Sequence, residues 1–142
     1  MYWFADAKAG RGSKSCHGEV PAAASLSKYH TLTRASAAIS SANTVVVAGI
    51  GCSGNLVHLL EGPQPYGFHG IHGRTLPIAL GVKMGSPELN VIIVAGDGDF
   101  LSIGGEHIAP QAARNLNVCA VIMDNGVYGL TKGQSSPTSE LG

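Results

Sequence analysis

Val91-Ile92-Ile93-Val94-Ala95-Gly96-Asp97-Gly98-Asp99 is an unbroken apolar run that ends in a glycine-flanked acidic turn. A continuous run of this length, rich in β-branched residues, predicts a strand buried on both faces, as in a parallel sheet covered by helices. Val118-Cys119-Ala120-Val121-Ile122-Met123 runs into Asp124-Asn125-Gly126 in the same way. Asp97 and Asn125 lie 28 positions apart, about one strand-helix-strand repeat, so in a parallel sheet both turns fall on one edge. Two oxygen-bearing side chains there suit a hard cation that holds phosphate.

Outward from this pair, Thr44-Val45-Val46-Val47-Ala48 predicts a further buried strand. Arg74 to Met84 reads as a helix, with Pro77 in its first turn and Gly85-Ser86-Pro87 as its stop. A second helix is expected from about Ser102 to Arg114, kinked or starting late because Pro110 removes one backbone hydrogen bond. The fold class is therefore α/β with a parallel sheet. Residues 1–40 have no clear period, and only Leu26 to Ile39 offers a weak helix, so they are expected to form a poorly ordered or partner-bound arm. Residues 41–142 form the folded domain.

Composition narrows the partners. With 142 residues and 44% hydrophobic content there is room for one modest domain with a core. Nine basic residues balance nine acidic ones, so neither a nucleic-acid stripe nor an anionic-membrane surface is expected. No apolar run reaches the length of a membrane span, and a cytoplasmic chain is the simplest reading. Cys16, Cys52 and Cys119 are odd in number and widely spaced, unlike a secreted disulfide framework. The 20 glycines gather at turns without a repeat period, as they do where backbone closes about a ligand.

Four groups of residues carry candidate chemistry. Gly49-Ile50-Gly51-Cys52-Ser53-Gly54 follows a strand as a dinucleotide fingerprint would, yet Gly62-Pro63 leaves no length for the helix and no acidic residue stands at the next strand end. A nicotinamide site is rejected and a glycine turn lining another cofactor is retained. His69 and His72 lack companion metal ligands, so His72-Gly73-Arg74 reads as a loop presented to an anion, against the plainer reading of solvated loop residues. For Asp97 and Asn125 the plainer reading is helix capping. Capping demands neither the flanking glycines nor the second carboxylate at Asp99, whereas anion binding at the turn after Gly98 with a bridging divalent cation accounts for both. The fourth group is the cysteines.

Taken together, Leu80-Gly81, Pro87, Ile92, Val94 and Gly96-Asp97-Gly98, with an Asn at the spacing of Asn125, resemble the signature of thiamine-diphosphate enzymes. Gly49-Ile50-Gly51-Cys52-Ser53, Tyr66 to Arg74, Gly96 to Asp99, Ile103-Gly104-Gly105 and Tyr128-Gly129-Leu130-Thr131-Lys132-Gly133-Gln134 further resemble the β subunit of 2-oxoacid:ferredoxin oxidoreductases, over Thr44 to the end. The resemblance implies that Asp97, Asn125 and the Val127 carbonyl bind Mg²⁺, which grips the diphosphate of thiamine diphosphate. It also implies that Gly96, Gly98, Asp99, Tyr128, Gly129, Leu130 and Thr131 line the cofactor, and that Gly51, Cys52, Ser53, His72, Gly73 and Arg74 close the pocket. His72 and Lys132 are the candidate catalytic residues, with Lys132 facing a substrate carboxylate or solvent. The implied activity is CoA-dependent oxidative decarboxylation of a 2-oxoacid, 2-oxoglutarate ahead of pyruvate, with an α subunit supplying the rest of the pocket and ferredoxin taking the electrons.

The chain departs from the family at three places. Asp124-Asn125 stands where Asn-Asn is usual, and only the second residue is expected to ligate. The family's [4Fe-4S] cluster uses a Cys-x-x-Cys pair, where this chain has Ser13 and Cys16, and a third ligand at Cys52; the chain alone is not expected to assemble it. Such subunits are also longer, so the chain reads as a fragment lacking the C-terminal part of the fold. A non-oxidative thiamine-diphosphate decarboxylase or synthase, and an inactive partner-binding fragment, are the competing readings.

Overall fold

A computed structural model of the chain describes residues 2–6, 40–55, 57 and 64–140. Five strands, β1 (Tyr2–Asp6), β2 (Thr44–Ala48), β3 (Tyr66–His69), β4 (Asn90–Gly96) and β5 (Cys119–Asp124), form one sheet in the order β1-β5-β4-β2-β3. All four pairings are parallel. Two helices, α1 (Thr75–Gly85) and α2 (Ile108–Ala113), connect strands, and a two-stranded hairpin, β6 (Val127–Tyr128) with β7 (Gln134–Ser135), follows β5.

The apolar runs become the central strands because only there can every side chain be buried. All five residues of β2 are buried, and Ile93, Val94 and Ala95 of β4 are almost fully so. One face of the sheet carries the larger core: Val45, Val47, Ile93, Ala95, Ala120 and Ile122 pack with Leu76 and Ala79 of α1 and with Phe100. On the opposite face Val46 and Val94 gather Val57, Ile92 and Met123. Helix α1 begins at Thr75, places Pro77 in its first turn, and closes with Ser86 N–H on the Val82 carbonyl. Lys83 reaches beyond it to the Pro87 and Leu89 carbonyls, each at 2.7 Å, and ties the turn into β4.

Three expectations change. The segment Ser102 to Arg114 is not one helix: a π-helical turn over Gly98–Ile103 and a 3-10 turn over Gly105–His107 precede α2. Pro110 falls in the first turn of α2, where a missing N–H costs no intrahelical bond, so the late start is the form the structure takes. Tyr2–Asp6 was assigned to the poorly ordered arm, yet it pairs with Ala120 to Asp124 as the edge strand β1. Strand β3 was read only as loop; all four of its residues are exposed, so no buried run announces it. The weak helix expected over Leu26 to Ile39, and Cys16, lie outside the described residues.

Ile93 has no exposed surface, so Ile93→Ala should lower unfolding free energy by about 2–5 kcal/mol. Urea denaturation checks this against Ile71→Ala, at a side chain 75% exposed, which should shift the midpoint little.

Candidate functional site

Parallel pairing sets the site. Ala48 lies beside His69 and Val94, Val94 beside Val121, and Gly96 beside Met123. Strands β2, β3, β4 and β5 therefore end at one level, and the segments that follow them share one edge of the sheet, where parallel sheets bind ligands.

Asp97 is the first residue past β4 and only 1% exposed. It precedes the π-helical turn, but its side chain makes no cap to that turn. Its Oδ2 instead accepts the Thr138 hydroxyl at 2.6 Å, and its Oδ1 receives the Asn125 N–H at 3.4 Å. Thr138 Oγ1 is also 2.6 Å from Asp124 Oδ1, which accepts the Gly126 N–H at 3.0 Å. A threonine hydroxyl has one proton and can satisfy only one of two carboxylate oxygens. Among the described residues no Lys, Arg or His pairs with either acid. The turn is thus rich in oxygen and poor in positive charge, and a buried carboxylate without a counter-charge is costly.

Thr138 arrives through a segment whose role the sequence reading missed. Ser139 Oγ donates to Gly126 O at 2.5 Å, and Ser136 N–H donates to Ser139 Oγ at 2.8 Å. These bonds sew the Ser136–Ser139 turn onto the Asp124-Asn125-Gly126 turn. Only the run of Ser, Thr and Pro residues, which favours such side-chain-to-backbone turns, hinted at it.

Asn125 is exposed, and its Oδ1 accepts the Val127 N–H at 3.1 Å, a turn that holds the amide at the strand end. Tyr128 of β6 lays its ring over Gly98 and donates its hydroxyl to Gly98 O at 3.1 Å. A Cβ at Gly98 would overlap that ring, which is why glycine stands there. Ser53 lies against Gly96, which brings the Cys52–Asn55 turn to the same edge. Cys52 is disulfide-bonded.

The other predicted site residues divide. Asp99 is 3% exposed; its Oδ1 accepts the Gly73 N–H at 2.9 Å and the Ile50 N–H at 3.3 Å, with His72 Nδ1 at 2.6 Å. Arg74 donates to the Gly73 and Ile103 carbonyls and pairs with Glu106 at 3.3 Å, so its guanidinium braces the loop. Leu130, Thr131 and Lys132 are exposed in the β6–β7 turn, where Lys132 has φ +69° and Thr131 Oγ1 donates to Gln134 Oε1. Among the described residues, no three His, Cys, Asp or Glu side chains gather as a metal cage. A hard cation held here would draw on one or two carboxylates, amide and main-chain oxygens, and ligand phosphates, the pattern typical of Mg²⁺.

Residues 49–141 match the family described as thiamine pyrophosphate enzyme, C-terminal TPP binding domain. The chain is 51% identical, over 68% of its length and 30% of the relative's, to subunit β of 2-oxoacid:ferredoxin oxidoreductase 2 from Aeropyrum pernix. It is likewise 51% identical, over 70% of its length and 26% of the relative's, to 2-oxoglutarate oxidoreductase subunit KorB of Mycobacterium tuberculosis. Among solved structures it resembles a 2-oxoglutarate:ferredoxin oxidoreductase from Magnetococcus marinus with 2-oxoglutarate, coenzyme A and succinyl-CoA bound. There the TM-score is 0.75 at 41% identity, covering 81% of this chain and 39% of that one. The chain thus spans about a third of the length of these relatives.

Gly98→Ala should force the Tyr128 ring out of place and cost about 1–3 kcal/mol. Adding Tyr128→Ala should return part of that loss in a double-mutant cycle followed by urea unfolding; strictly additive losses would show that the two residues do not press on each other.

Proposed function

Because the chain belongs to the thiamine pyrophosphate enzymes, through their C-terminal TPP binding domain, we propose that it holds the diphosphate of thiamine diphosphate through Mg²⁺ at the Asp97 and Asn125 turns. The observation that carries this reading is the Asp97–Thr138–Asp124 group. One hydroxyl proton stands between two carboxylate oxygens 2.6 Å away on either side, with no cationic side chain among the described residues paired to them. The donor set is all oxygen, which fits Mg²⁺ and not a soft or imidazole-seeking metal.

In this reading Asp97 supplies a carboxylate oxygen, Asn125 its amide oxygen and Val127 its carbonyl. Thr138 fixes the Asp97 carboxylate before the cation arrives, so little side-chain freedom is lost on binding. Tyr128 holds the β6–β7 hairpin against Gly98, and with it the Gly129, Leu130 and Thr131 main chain that would face the diphosphate. Thiamine diphosphate itself supplies the carbanion chemistry at a 2-oxo carbon.

The wider activity rests on the relatives. Their names support the β subunit of an oxidoreductase that oxidatively decarboxylates a 2-oxoacid. Both the KorB relative and the ligands of the solved structure favour 2-oxoglutarate, with CoA as acyl acceptor. An α subunit would complete the pocket, and ferredoxin would take the electrons. In this reading Lys132, exposed on the hairpin turn, would meet the substrate's second carboxylate. Cys52, expected as a cluster ligand, is disulfide-bonded, so an iron–sulfur cluster held there would require that bond to be reduced to thiolates. Among the described residues no helix is long and apolar enough to cross a membrane.

Calorimetry of the subunit assembled with its α partner tests the cofactor reading. Asp97→Ala should abolish Mg²⁺-dependent binding of thiamine diphosphate, a loss of at least about 100-fold in affinity, while circular dichroism keeps the α/β signature. Undiminished affinity in that variant would overturn the assignment.

A further inference from the structure

We propose that Asp99 does not touch the cofactor but positions His72, holding a proton on Nδ1 so that Nε2 is the ring nitrogen offered to a ligand. The inference rests on the functional reading above only for what that ligand is. Asp97 and Asp99 are two residues apart, yet their carboxylates serve different neighbours. The π-helical turn that begins at Gly98 carries the Asp97 side chain toward Asn125 and Thr138, and the Asp99 side chain toward the segments after β2 and β3.

The Asp99 side chain is only 1% exposed. Its Oδ1 gathers the Ile50 and Gly73 N–H groups, which come from two separate loops. Its Oδ2 presses on Gly49, where a Cβ would overlap it, and has no hydrogen-bond partner among the described residues. A carboxylate enclosed in this way has no face left for a cofactor.

Among the described residues the charge-capable group beside it is His72 Nδ1, 2.6 Å from Oδ1. That nitrogen is itself buried and meets the carboxylate as a close approach outside hydrogen-bond alignment. No other acceptor reaches Nδ1 among the described residues, and an imidazole nitrogen lacking its proton beside a carboxylate would set two lone pairs against each other. The arrangement therefore fixes the proton on Nδ1, in the neutral and in the charged ring alike. The side chain remains 35% exposed, and since Nδ1 is covered, that exposure belongs to the other atoms of the side chain. Asp99 sets the ring's orientation as a buried carboxylate does for other histidines.

The ring nitrogens can be read directly. In a long-range ¹H–¹⁵N spectrum of the full chain near neutral pH, His72 should show the Nδ1–H pattern; it is assigned among the six histidines by its loss in His72→Asn. Asp99→Ala removes the oxygen that faces Nδ1, and should move His72 toward the Nε2–H form preferred by free imidazole. An Nε2–H pattern in the unaltered chain, or an unchanged pattern in Asp99→Ala, overturns the proposal; if that variant does not fold, the spectrum of the unaltered chain decides. In the assembled complex, Asp99→Ala and His72→Asn should each lower kcat by roughly 10- to 100-fold, and the double variant should be no worse than the poorer single one. Full activity in His72→Asn, which preserves the donor facing Asp99 but deletes Nε2, or strictly additive losses, would also overturn it. Failure of the unaltered complex to bind thiamine diphosphate would count against the functional reading alone and leave the ring spectrum standing.

Discussion

The parallel register of β4 with both its neighbours is the constraint on which the site depends. Val94 lies beside Ala48 on one side and Val121 on the other, so three buried strands end together. Their continuous burial is what makes this register stable: a slip of one residue would carry Ile93 and Val94 to opposite faces, each into a core shaped for the other. Because the ends are level, turns separated by dozens of residues in sequence become neighbours. Asp97 meets Thr138 across 41 positions, and Asp99 meets Ile50 across 49.

At that edge the two carboxylates divide the work. Asp97 is buried among oxygens and, among the described residues, has no cationic side chain beside it, which is how a site looks when its counter-charge comes from a ligand. Asp99 is buried among donors and is spent on joining loops. The π-helical turn makes the division possible, since an extended or α-helical continuation would direct the two side chains differently. Inserted π-helical turns are frequent at functional sites, where they re-aim a few residues without disturbing the flanking structure.

How much of this was legible in the sequence follows from burial. Thr44–Ala48 was read with both ends correct because every residue in it is apolar or β-branched and none is exposed. The same logic found β4, β5 and α1 to within a residue or two. Strand β3 was missed because an exposed edge strand containing Gly67 carries no apolar run. Strand β1 did leave a signal, the aromatic and apolar Tyr2-Trp3-Phe4-Ala5, which the low order of the surrounding composition masked. Asp97, Asn125 and Gly98 were legible as neighbours at one sheet edge because glycines and strand ends bracket them. Thr138 was not, since nothing local reveals which carboxylate a distant hydroxyl will meet. That Asp99 would accept the Ile50 and Gly73 N–H groups was not legible either, since the turn after Gly98 decides the direction of its side chain.

Membership of the thiamine pyrophosphate enzymes and the oxygen-lined edge both support the proposal that the ends of β4 and β5 hold a divalent cation. Paramagnetic broadening tests it most directly. With Mn²⁺ in place of Mg²⁺ and thiamine diphosphate present, the backbone amide signals of Asp97, Gly98, Asn125 and Val127 should vanish, because relaxation by the metal falls off steeply with distance. Those of Thr44 and Asn90, at the opposite end of the sheet, should persist. Broadening centred on His69 and His72, or none at the Asp97 and Asn125 turns, would contradict the account.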